Sequence, residues 1–152
     1  MSDPIVIIGL RQLIRRFRYL AHNIEDVRVM REVGLFLISQ IQIRTAEGKD
    51  VDGQDFMPYS PQYRLFRESH GHVGSKVNLF YTGSMMSSMT FTPGKDRVTL
   101  FFANTTDPSG ARNPLKAYFL NQDRRFFAIN DEDRAGVLRI IDRYIRSNLR
   151  RR

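Results

Sequence analysis

The sequence predicts an α+β fold, with helices packed on a small, mostly antiparallel β-sheet in a single domain. Three observations lead there. Apolar residues recur at helical spacing in 10–21, 27–41 and 137–149. Two β-prone runs flank Pro93-Gly94-Lys95-Asp96, a combination suited to a hairpin turn. No repeat, low-complexity tract or Pro/Gly/Ser linker divides the 152 residues, a length that suits one core.

The first element is a helix over about 9–21, with Leu10, Leu13, Ile14, Phe17 and Leu20/Ala21 on one face and Arg11, Arg15 and Arg18 on another. The preceding Ile5–Ile8 suit a short strand. A second helix is predicted from about Glu25 to Arg44, with Asn23 as its cap and Glu25 and Asp26 in its first turn. Its core stripe reads Val27, Met30, Gly34, Ile38 and Ile41. Val33, Leu35, Phe36 and Leu37 make its middle apolar all round, and a helix without a polar face is covered on both sides. These four residues are therefore candidates for a subunit interface.

Residues 45–78 are rich in Gly, Asp, Pro, Ser and His, the composition of a long loop, with a turn of helix near Pro61–Glu68. Thr82 or Ser84 can cap a short helix. Met89–Thr92 and Val98–Ala103 read as strands. Asn113–Gln122 suits a helix, with Pro114 in its first turn. The clearest helix is Asp131–Leu149, capped by Asn130 with Asp133 three residues on. Its apolar stripe is Val137, Leu138, Ile141, Tyr144, Ile145 and Leu149.

Charge narrows the class of partner. Twenty-four basic against sixteen acidic residues give +8, and the basic residues are 20 Arg against 4 Lys. Arginine's planar fork suits pairing with carboxylate or phosphate at partly buried surfaces. Residues 139–152 hold six arginines and one aspartate and end in Arg150-Arg151-Arg152, a basic tail over about 146–152. Such a tail raises affinity for any polyanion. The longest apolar run, Ile5–Leu10, falls far short of the ~20 residues of a membrane span.

Catalytic patterns are missing from the sequence. With no cysteine, thiol chemistry and Cys-based metal sites are excluded. Asp50-Val51-Asp52-Gly53-Gln54-Asp55 has, counted from either Asp50 or Asp52, neither glycine at position six nor glutamate at position twelve, as a calcium loop requires. His70-Gly71-His72 has no third ligand nearby. There is no phosphate-cradling loop, nucleophile elbow or HExxH. The sequence reads as a non-enzyme without metal or cofactor.

One arrangement resembles a known family. Gly53-Gln54-Asp55-Phe56-Met57-Pro58-Tyr59-Ser60, followed by Tyr63, resembles the "G…W-x-P-L-S…Y" segment of tailed-phage virion-morphogenesis proteins, with Phe56 in place of Trp and Tyr59 in place of Leu. Leu79-Phe80-Tyr81-Thr82-Gly83-Ser84-Met85 resembles their "L-x-x-T-G-x-L" element. Tyr118–Gln122 resembles a degraded "Y-A-x-x-H-Q-x-G". Arg124 through Phe126 to Asp133 resembles "R-x-F-L-G-L-S-x-x-D" leading into a terminal helix. The order spans roughly residues 5–149. Two departures are the absent glycine after Gln122 and Ala128 where glycine is common.

This family includes tail-completion proteins of long-tailed, Mu-like phages. The resemblance implies a structural virion protein, made in the host bacterial cytoplasm and placed at the neck or tail end. It would be a tail completion (terminator) or neck connector component assembled as a ring, a hexamer by family habit, against adjoining neck and tail proteins. Non-specific contact with channel DNA is a further implication. Gly53, Phe56, Pro58, Tyr59, Tyr63, Leu79, Thr82, Gly83, Tyr118, Arg124 and Phe126 carry the motifs, with the aromatics anchoring a polar loop to the core or to a neighbour. Arg146, Arg150, Arg151 and Arg152 are assigned to partner docking. The alternative is a monomeric nucleic-acid-binding protein using the Arg-rich C-terminal helix.

Overall fold

The structure, a computed structural model, describes residues 26–72 and 76–149. The predicted helix at 9–21, the strand at Ile5–Ile8, the Asn23 cap and Arg150–Arg152 lie outside these residues. Among the described residues the fold is α+β, with five helices and one two-stranded antiparallel sheet. In chain order the elements are α1 (Val27–Ala46), α2 (Pro61–Ser69), α3 (Ser84–Ser87), β1 (Met89–Pro93), β2 (Val98–Phe102), α4 (Asn113–Asp123) and α5 (Asp131–Leu149).

Helix α1 starts one residue after an extended Asp26, whose carboxylate accepts from the Arg28 backbone N–H at 2.8 Å. The cap is thus Asp26 rather than Asn23, because only an acceptor next to the first free amides can reach them. The buried stripe is Val29, Met30, Val33, Gly34, Leu37, Ile41 and Thr45. Val27, expected in the stripe, is exposed. Met30, Gly34 and Ile41 lie in the stripe as expected and Ile38 is partly buried beside it, while Val29, Val33 and Leu37 widen it.

Helix α5 matches its expected span. Asp133 N–H donates to Asn130 Oδ1 at 2.9 Å, and Asn130 N–H donates to Asp133 Oδ2 at 3.0 Å, a reciprocal capping box. Its buried face holds Gly136, Val137, Ile140 and Ile141. Helices α1 and α5 lie antiparallel. Tyr144 OH donates to Asp26 Oδ2 at 2.6 Å at one end, and Arg44 Nη1 meets Asp133 Oδ2 at 3.0 Å at the other. A Cβ on Gly136 would stand closer than 3.0 Å to the Phe36 ring, and one on Gly34 equally close to the Phe91 ring. Both glycines admit an aromatic ring against a helix backbone.

The hairpin pairs Met89 with Phe102 and Pro93 with Val98. Gly94 N–H donates to Arg97 O at 2.8 Å to close its turn. The sheet packs on α1, and α4 covers β2 and the end of α3. Met30, Val33, Leu37, Ile41, Leu100, Phe126, Val137 and Ile141 form the fully buried centre. The 45–78 stretch is more regular than a loop. It contains α2, and Lys49 and Asp55 form an isolated antiparallel bridge.

Candidate assembly surface

The segment after α1 is organised by one carboxylate. Asp50 Oδ1 accepts from the Asp52 and Gln54 backbone N–H groups at 2.9 and 2.8 Å, and Gly53 takes φ +79° to complete the turn. Gly53 therefore serves the turn: nothing lies within 4 Å of where its Cβ would be. The remaining acids of this turn are held by cations, Asp52 by Arg125 and Asp55 by Lys49. Among the described residues no three His, Asp or Glu side chains are grouped to hold a metal.

Phe56 leaves the turn and enters the core, fixed by its N–H donating to Gly48 O at 2.9 Å. Pro58 is exposed and Tyr59 is half-buried. Ser60 Oγ then accepts from Tyr63 N–H at 3.3 Å and starts α2 with Pro61 at its first position. On α2 only Arg67 is buried, at 3% exposure. Its guanidinium lies 4.9 Å from the Tyr59 ring centroid, 5.7 Å from Tyr81 and 5.9 Å from Tyr63. Arg67 Nη2 donates to Phe80 O at 3.0 Å, while Nε is buried without an acceptor. Among the described residues this cation is held by rings and one carbonyl, with no carboxylate, and so ties α2 to the body. Each desolvated cation–π contact contributes up to ~2 kcal/mol.

Arg124 completes the cluster from another strand of chain. Its Nε and Nη2 donate to the Met57 and Pro58 carbonyls at 3.2 and 3.3 Å, and its guanidinium lies 5.5 Å from the Tyr59 ring. Burial pushes the Tyr59 hydroxyl above its ordinary pKa, opposed by the nearby Arg67 charge. The rings continue outward: Tyr63 stacks near Phe66 at 6.0 Å, Phe66 near Tyr81 at 5.9 Å, and His72 tilts on Tyr81 at 4.5 Å. His70 packs on Phe66 at 4.3 Å.

Leu79 is buried with φ +54°, a left-handed conformation that costs a non-glycine residue ~1–2 kcal/mol. Thr82 Oγ1 accepts from Ser84 N–H at 3.3 Å, and Gly83, with φ +79°, is the residue that caps α3. A Cβ there would meet the Phe80 ring at 2.7 Å. Neither Thr82 nor Ser84 is the cap, because the chain turns sharply enough at this point to need glycine.

All four motif segments meet. Phe56, Leu79 and Phe126 share the core, Arg124 grips the Met57–Pro58 carbonyls, and Val51 N–H donates to Arg125 O at 2.8 Å. The fourth joins through the inner face of its helix, where Leu120 packs on the same core and Asn121 Oδ1 accepts from the Phe127 N–H at 2.8 Å. Tyr118 is exposed on α4 and, with Leu115 and Phe119, makes a separate apolar patch. Around the arginine–tyrosine cluster, Met57, Tyr63, Leu65, Phe66 and Phe80 are exposed as well.

Of the four interface candidates on α1, Val33 and Leu37 are fully buried in the chain's own core and Phe36 packs against it. The second cover inferred for them is intramolecular, supplied by the sheet and α5. Only Leu35 faces outward, at 59% exposure. Arg146 is exposed and donates to Asp142 at 2.7 Å. Arg67 escaped the sequence reading, although its i, i+4 spacing from Tyr63 was a usable signal.

The chain matches no protein-family model, no curated protein and no solved structure. Among the described residues no helix is long and apolar enough to cross a membrane.

Proposed function

We propose that the chain is a structural virion protein of a tailed phage, a ring-forming tail completion or neck connector component joining tail to head. One observation carries the reading. The segments bearing the sequence resemblance, far apart in the chain, converge on a single arginine–tyrosine cluster, beside which Tyr63, Leu65, Phe66 and Phe80 stay exposed. An aromatic and arginine-rich surface has the composition of interface hot spots. The Leu115–Tyr118–Phe119 patch is a second, unlike apolar surface. Heterologous contacts, in which two different faces of one subunit meet, are those that close into rings.

The test is the mass of the purified protein, together with its copy number in particles. A closed oligomer present at fixed stoichiometry in virions is the expected result. A monomer absent from virions that binds duplex DNA tightly at low salt overturns the reading in favour of the nucleic-acid-binding alternative.

A further inference from the structure

Three charged side chains are buried among the described residues: Arg67, Asp107 and Asp133. Lys116 pairs with Asp107 at 2.7 Å and Arg44 with Asp133 at 3.0 Å. Arg67 has no such partner. Among the described residues only its Nη2 finds an acceptor, the Phe80 carbonyl, and its buried Nε finds none. A second guanidinium, that of Arg124, lies 5.5 Å from the same Tyr59 ring and donates only to the Met57 and Pro58 carbonyls. Two cations thus share one ring, with no carboxylate bonded to either among the described residues. Ring faces moderate such charge without cancelling it, and a desolvated cation that lacks a counter-ion is costly to keep.

The surroundings select the kind of anion that would complete the cluster. Met57, Tyr63, Phe66 and Phe80 stand exposed around it. The other cation of α2, Arg64, pairs with Glu68 at 3.9 Å. A nucleic-acid backbone is held by a run of free cations, which this apolar rim does not offer. A single carboxylate set among apolar side chains fits both features, since its planar oxygens match a guanidinium fork and its neighbours match the rim. The chain's own exposed, unpaired acids among the described residues do not fit. Glu47 lies between Ala46 and Gly48, Asp123 between Gln122 and Arg124, and Glu132 between Asp131 and Asp133, none beside a large apolar residue. The occupant is therefore a different protein.

We infer that Arg67, Arg124 and Tyr59 form a binding site for an Asp or Glu carboxylate carried on an apolar segment of a partner protein. Tyr63, at 39% exposure, is the most exposed of the three tyrosines around Arg67. Helix α2 buries no residue besides Arg67, so it can swing to admit the carboxylate without opening the core. The incoming charge supplies the missing counter-ion where charge-assisted bonds are strong. The inference names what the cluster recognises, and it rests on the proposed function in treating the cluster as an interface.

Phenylacetate, a carboxylate attached to one ring, is the probe for the full chain. Heteronuclear NMR follows the Nε–H resonances of Arg67 and Arg124, assigned by their loss in Arg67→Met and Arg124→Met. Phenylacetate is expected to shift both resonances together and saturably. It should bind about tenfold or more tightly than neutral phenylacetamide, the difference a charge-assisted bond makes. Either variant should abolish that preference. Wild type alone decides the matter should a variant fail to fold: no saturable shift, or equal binding of the amide, overturns the site. Inorganic phosphate or oligothymidylate binding to these arginines more tightly than phenylacetate overturns the carboxylate assignment. Sedimentation of the same samples separates this inference from the ring. A monomer that takes up phenylacetate overturns the ring and keeps the site, whereas an oligomer indifferent to phenylacetate overturns the site and keeps the ring.

Discussion

Replacing Arg44 with methionine should destabilise the protein more than any exposed arginine change. Asp133 is 2% exposed and Arg44 11%, so the pair is shielded from solvent on both sides. Arg44 Nη1 meets Asp133 Oδ2 at 3.0 Å, and Nη2 donates to the Ala128 carbonyl at 2.7 Å. Methionine keeps most of the apolar stem but removes both donors. It leaves Asp133 Oδ2 with only the Asn130 N–H, and the Ala128 carbonyl without this donor. Breaking a buried pair from one side costs about 3–5 kcal/mol, because the remaining charge is stranded. At about 2–4 °C per kcal/mol for a chain this size, Tm should fall by about 6–20 °C. Urea unfolding followed by circular dichroism supplies the free energy. The double variant Arg44→Met/Asp133→Asn should lose less than the sum of the single losses, since it leaves no lone carboxylate. A loss for Arg44→Met below about 1 kcal/mol would refute the reasoning and place the pair with screened surface bridges.

Phe56→Ala should lose about 3–5 kcal/mol in the same urea assay, as a buried ring whose cavity the turn cannot fill. Arg67→Met should free α2 without unfolding the core: tryptic cleavage after Arg64 should accelerate about tenfold while Tm moves by less than about 4 °C. Unchanged cleavage would show that the stacked rings alone hold the helix. Acid sensitivity follows from two carboxylates held well below the ordinary range, Asp26 by the Arg28 side chain and then Tyr144, and Asp107 by Lys116 and then Ser109. Their folded pKa values are depressed, so the unfolded chain takes up protons first as pH falls. Stability should be whole above about pH 5 and drain below about pH 4, and Asp26→Asn with Asp107→Asn should flatten that acid limb in urea midpoints taken across pH.

Local chemistry was legible in the sequence wherever one turn of chain decided it. Asn130 with Asp133 marked the start of α5, Pro93-Gly94 marked the hairpin, and Pro114 marked α4, because caps and turns depend on neighbours within four residues. The face of α1 was harder to read. With Val27, Val29, Val33, Leu35, Phe36 and Leu37 all apolar, periodicity alone permits two stripes, and only the sheet and α5 select the one through Val29 and Val33. The Arg67 cage was legible only in part: Tyr63 lies one helical turn away, but Tyr81 enters from fourteen residues away and is placed there only by the folded chain. The motif glycines at 53 and 83 were legible as positions, and their left-handed φ angles supply the physical reason.

The contacts that join α1 to α5 have a consequence for how the chain folds as it is made. Asp26 and Tyr144 are 118 residues apart in sequence, and Arg44 and Asp133 are 89 apart. A helical pairing of that span has the contact order of a β-sandwich rather than of a bundle, and closes slowly. On a ribosome α1 emerges long before its partner, with an apolar girdle that neither the hairpin nor α5 yet covers. Helix propensity alone holds it only marginally at that stage. The nascent chain therefore passes through a sticky interval that ends only with synthesis of the last helix, and high-level expression should depend on chaperones during translation more than on the stability of the finished fold.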